Sequence, residues 1–146
     1  MKIAVPINNL MSLYHLNPFT APKFAIYSVV GDRSNITFGL KSVVDNPWVN
    51  INQGEFDKSQ VTCSCDISKC TNMQHISEHY ALLDVIGGCD YLLVDHHCDN
   101  ISRTLKNGGI QIYKVPPIIN KIDTAIKNFI LGASLASTFK HIHYAS

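Results

Sequence analysis

Apolar residues come in short blocks along this chain, and the blocks follow two different periods. Lys2–Pro6 (KIAVP) is a near-continuous apolar run, the pattern of a strand buried on both faces. Residues 8–22 are loop-like, with asparagines and prolines. Lys23–Val30 (KFAIYSVV) is rich in aromatic and β-branched residues and predicts a second strand. Gly31-Asp32 and Ser34-Asn35 supply a turn, and Ile36–Asp45 predicts a third strand that closes an antiparallel hairpin. Asn46-Pro47 ends it. A long polar connection, 46–73, follows, of a length that inside a compact domain is usually functional or disordered.

The period then changes. In Gln74–Ile86, Ile76, Tyr80, Leu83 and Ile86 recur near helical spacing until Gly87-Gly88. Tyr91–Val94 is a short buried strand. Asp99–Lys106 predicts a helix with Asp99 or Asn100 near its cap and Gly108-Gly109 as its stop. Ile110–Val115 is the last strand. After Pro116-Pro117, Ile118–Leu131 predicts an amphipathic helix with Ile119, Ile122, Ile126, Phe129 and Ile130 on one face. Gly132 is expected to close it, leaving 133–146 as a loose C-terminal tail.

The predicted order is β-β-β-α-β-α-β-α. Strands one, four and five need crossovers and should run parallel, with the hairpin extending one side. The expected fold is a single α/β domain, a mixed sheet of about five strands with flanking helices. Ligand sites in such sheets lie beyond the carboxyl ends of the parallel strands. Here those ends open into residues 8–17 and into Asp95-His96-His97-Cys98.

Composition narrows the function classes. The chain has 146 residues and a formal charge of +1, which gives no electrostatic basis for a nucleic-acid partner. No apolar run approaches the ~18 residues of a membrane helix. Met1–Leu10 does not read as a signal peptide, so the expected location is cytoplasmic. An odd number of cysteines, five, argues against a disulfide scaffold in that setting.

The distribution of those cysteines changes the picture. All five, Cys63, Cys65, Cys70, Cys89 and Cys98, fall in 63–98 together with His75, His79, His96 and His97. That window has one lysine against five carboxylates, a formal −4, which favours capture of cations. Cys63-x-Cys65-x4-Cys70 offers thiolates in a polar stretch. Thiolates with imidazoles suit zinc, copper(I) or iron–sulfur species, although the spacing is neither a C-x2-C zinc pair nor a ferredoxin run. Cys89, just before an apolar strand, reads as a small buried hydrophobe. His75-x-x-Glu78-His79 puts two imidazoles four residues apart on one helical face. It also matches the inverted zincin motif, but in a chain small for that class. Asp95-His96-His97 after a strand is similar to the motif of metal-dependent phosphoesterases, without their upstream paired aspartates. With Cys98 it spells the palmitoyltransferase D-H-H-C, which fails without membrane helices. His141 and His143 fall in the expected tail. No G-x-S-x-G elbow and no phosphate-binding loop occur.

Several phrases carry a family likeness. They are Met1–Pro6, Tyr14-His15 ahead of Ala21–Val29, Asn46-Pro47, Gly88–Val94, Leu105–Tyr113 (LKNGGIQIY) and the helix Ile119–Gly132. Together they resemble the dinitrogenase iron–molybdenum cofactor biosynthesis family, the NifX and NifB C-terminal-like domains, over about 1–132. The resemblance implies a ribonuclease-H-like fold and a small carrier or scaffold for metal–sulfur clusters, with residues 46–73 as a cysteine-rich insertion. It also implies His15 as a ligand. The family's Phe-Gly after that histidine is Leu16-Asn17 here, and its glycine-rich turn after strand four is replaced by Asp95–Cys98.

The expected function is therefore a non-enzymatic metal or metal–sulfur cluster carrier, working with a cluster donor or acceptor protein. Its cargo would be an iron–sulfur or iron–molybdenum type cluster, or zinc. First-choice ligands are Cys63, Cys65, Cys70, His96, His97 and Cys98, then His15, His75 and His79, with Asp95 orienting a ligating imidazole. A structural or sensing zinc site and an Asp-His-His phosphoesterase are the alternatives.

Overall fold

Strand β1 (Lys2–Ile7) explains its own apolar run: it is central, and its two faces belong to two cores. Ala4 packs on one side and Ile3, Val5 and Ile7 on the other. The structure, a computed structural model, describes residues 1–31, 35–46 and 79–145, with the backbone alone at 99–100 and 134–145. Strands β2 (Lys23–Val30), β3 (Thr37–Asp45), β4 (Tyr91–Val94) and β5 (Gln111–Lys114) complete a mixed sheet in the order β3-β2-β1-β4-β5. β1 pairs antiparallel with β2 and parallel with β4, and β5 is parallel to β4. β2 and β3 form the expected hairpin, with a register shift at Ile26/Tyr27. This is the mixed five-stranded α/β fold that the pattern predicts.

Helices α1 (Leu83–Ile86) and α2 (Asp99–Asn107) cover one face. There Leu82, Ile86, Ile101 and Leu105 close over Ala4, Phe24, Ile26, Leu92 and Val94. Helix α3 (Ile122–Ala145) covers the other, placing Ile122, Ala125, Ile126 and Phe129 on Val5, Ala25, Leu93 and Val115. Among the described residues no helix is long and apolar enough to cross a membrane.

Two expectations about α3 are corrected. It begins at Ile122, not Ile118, because 116–119 form a turn in which the Ile119 N–H bonds to Pro116 O, leaving Ile118 on the surface. It also runs to Ala145, so Gly132 is not its stop and 133–145 is helical, not a loose tail. Gly132 answers to packing: a Cβ there would lie 2.2 Å from the Tyr113 hydroxyl oxygen. The glycine is a notch where the β5 tyrosine crosses the helix.

The cysteine-rich stretch 46–73 lies, apart from Asn46, outside the described residues.

Candidate functional site

The carboxyl end of the sheet is shaped by a change of partner along β1. Its parallel pairing with β4 covers only Ile3 and Ala4. Further along, the chain's own return takes that side: Ile7 bridges Leu13, and the Tyr14 N–H bonds to Pro6 O at 2.9 Å. Pro6, which has no N–H to donate, thus still serves the sheet through its carbonyl. Leu13 is buried in the α3-side core, so the segment carrying His15 is fastened to the sheet.

His15 then meets two oxygens. Its Nδ1 lies 2.5 Å from Asp95 Oδ2, just past β4, and its Nε2 lies 2.6 Å from Asn120 Oδ1, in the β5–α3 connection. With Asp95 Oδ2 and Asn120 Oδ1 as acceptors, the doubly protonated ring is the form that satisfies both contacts. The hydrogen bond to Asp95 raises the His15 pKa above its ordinary value; burial opposes this, and Asn120 and the Asp95 charge assist it. The partners differ in exposure. The Asp95 side chain is 5% exposed and that of His15 36%, while Asn120 is on the surface. The Asn120 carbonyl also accepts the Leu13 N–H at 2.9 Å, so this residue holds the loop twice. Among the described residues, the buried Asp95 Oδ1 has no hydrogen-bond partner.

A second pair lies deeper. Cys98 Sγ and His79 Nε2 are 3.4 Å apart, both residues buried. Cys98 is the N-cap residue of α2, and its side chain makes no cap bond. The His79 ring stacks on Phe19, with centroids 4.0 Å apart and planes 10° from parallel. Phe19 sits in a 3-10 turn, Pro18–Thr20, begun by Asn17, whose Oδ1 accepts the Phe19 N–H. Asn46 clamps the turn from the end of β3: its Nδ2 donates to Phe19 O and Ala21 O at 2.8 and 2.9 Å. Beside it, the Tyr14 and Thr20 hydroxyls lie 2.7 Å apart, and burial pushes the Tyr14 pKa up. Among the described residues, the buried Asn17 Nδ2 has no hydrogen-bond partner.

The expected residues therefore distribute as follows. His15 is paired with Asp95, and His79 with Cys98. His96 is exposed and His97 half-buried at the same end of β4. Cys63, Cys65, Cys70 and His75 lie outside the described residues. Cys89 is in the core as expected, before the amino end of β4, and burial pushes its thiol pKa up. Among the described residues, no three His, Cys, Asp or Glu side chains come together as a metal site. Sequence reasoning missed Asn120, Asn46 and Asn17. Asn120 was within reach of the rule that ligands gather at carboxyl ends of parallel strands, because it closely follows β5.

No family model matches this chain, and no curated protein matches it. Among solved structures, it is similar to the NMR structure of a candidate NifB protein from Thermotoga that belongs to the DUF35 family. The two are 20% identical, with 90% of this chain and 88% of that chain covered and a TM-score of 0.49.

Proposed function

We propose that this protein is a non-enzymatic carrier or scaffold for a metal or metal–sulfur cluster, of the kind used in iron–molybdenum cofactor biosynthesis. The observation that carries the reading is the separation of Cys98 Sγ and His79 Nε2, 3.4 Å. Bonds of about 2.3 Å to sulfur and about 2.05 Å to nitrogen, at a tetrahedral angle, put the two ligand atoms roughly 3.5 Å apart. The same spacing serves a thiol–imidazole hydrogen bond, so a metal bound by this pair would displace the shared proton. His15 supports the reading independently: a buried carboxylate on one ring nitrogen is the usual way of aiming the other at a metal. Two protein donors do not close a tetrahedral site. The thiolates Cys63, Cys65 and Cys70 are a source of further donors in the sequence. Transfer to an acceptor protein requires that some of these bonds stay labile.

The test is elemental analysis of anaerobically purified protein, followed by titration with Fe2+, Zn2+ and Co2+. Wild type should retain or take up metal, and the Co2+ form should show thiolate-to-cobalt charge transfer that Cys98→Ala weakens. Wild-type protein that holds no metal and rejects all three ions would end this reading. A zinc site with a structural role is the second reading, favoured by the same nitrogen–sulfur pair. It requires one colourless metal per chain and unfolding on chelation.

A further inference from the structure

His15 is held by two partners of unlike permanence. The Asp95 side chain is buried and grips Nδ1; Asn120 is exposed and occupies Nε2, in the more exposed of the two contacts. We propose that Asn120 is a placeholder: its side-chain oxygen occupies the His15 position that the cargo metal takes, and loading displaces it. This rests on the metal-carrier reading above. On loading, Nε2 exchanges its contact with Asn120 for a bond to the metal, any proton it carries leaving to solvent, while Nδ1 keeps its contact with Asp95. The Asn120 side chain is set free, but its main chain still accepts the Leu13 N–H.

Two consequences follow from the geometry. An empty site keeps its imidazole oriented and its nitrogen covered, so metal must compete for it. Loading also alters the connection that starts α3, since Asn120 lies two residues before Ile122. A loaded and an empty carrier then differ at a surface residue that an acceptor protein can touch.

The experiment compares Zn2+ and anaerobic Fe2+ affinity, by competition with a chromophoric chelator, for wild type, Asn120→Ala, His15→Ala and the double variant. Asn120→Ala should bind about tenfold tighter, the worth of one partly exposed hydrogen bond to a charged group. His15→Ala should bind more weakly, and adding Asn120→Ala to it should bring no gain. In 15N-labelled wild type, the Asn120 side-chain amide signal should move on adding Zn2+, and stay in place in His15→Ala. If wild type binds metal but Asn120→Ala binds no tighter, the placeholder is wrong and the carrier reading stands. The placeholder is equally wrong if His15→Ala binds as wild type does, or if Asn120→Ala gains equally without His15. If neither ion binds wild type, the carrier reading fails and the placeholder with it.

Discussion

Asp95→Asn isolates what the carboxylate does for His15. The substitution keeps shape and the capacity to accept from Nδ1, but removes the charge. A hydrogen bond between charged partners contributes about 1.5–3 kcal/mol. Because His15 is 36% exposed, solvent screening brings the loss below that range, to about 1 kcal/mol. The pH dependence is the sharper signature. The folded-state pKa of His15 is raised, chiefly by Asp95. The native protein therefore binds this proton more tightly than the unfolded chain. Its contribution is fully present below about 6.5, the ordinary histidine value, and is lost as pH rises through the raised folded pKa. The variant lacks the main cause of the shift, so the stability difference should be largest near pH 5.5 and shrink at higher pH. Urea unfolding across that range, with a constant m value, measures the difference. An NMR titration of the His15 ring assigns it to this histidine among the seven. A difference that grows with pH, or a His15 titration unmoved by the substitution, would refute the reasoning.

Two further outcomes are expected. Gly132→Ala gains roughly 1 kcal/mol of helix propensity but drives a methyl against the Tyr113 hydroxyl, an overpacking that costs about 1–3 kcal/mol. It should lower the urea midpoint, and Tyr113→Phe should recover much of the loss in the double variant; a raised midpoint in the single variant would show that the notch is not filled. Asn46→Ala leaves the Phe19 and Ala21 carbonyls without their side-chain donor and should cost about 2 kcal/mol, with faster amide exchange in the 3-10 turn under His79.

The strands were legible because β-branched and aromatic residues concentrate where the pleated sheet buries them. Lys23–Val30 is bounded in the structure as its residues predict. The start of α3 was not, because Ile118 and Ile119 continue the apolar period while the Pro116 turn keeps them out of the helix. Gly132 misled for a related reason. A glycine that stops a helix and one that makes room for a neighbour look the same until Tyr113 is known to be that neighbour. At the site, the spacing of His75 and His79 described a helix face, yet what surrounds His79 comes from elsewhere: Phe19 from the β1–β2 connection and Cys98 from beyond β4. The bond between His15 and Asn120 spans 105 residues, a separation at which local periodicity has no reach.

The handover along β1 has a consequence for how the site opens. Because Leu13 and Tyr14 complete the sheet where β4 has turned away, they are not a flap hinged outside the domain. Lifting them strips hydrogen bonds from the central strand and draws Leu13 out of the core. Their excursions then share the timescale of the sheet and not that of a surface loop. On the carrier reading proposed above, entry and exit at His15 would proceed by exchange of side-chain partners on a backbone that stays closed.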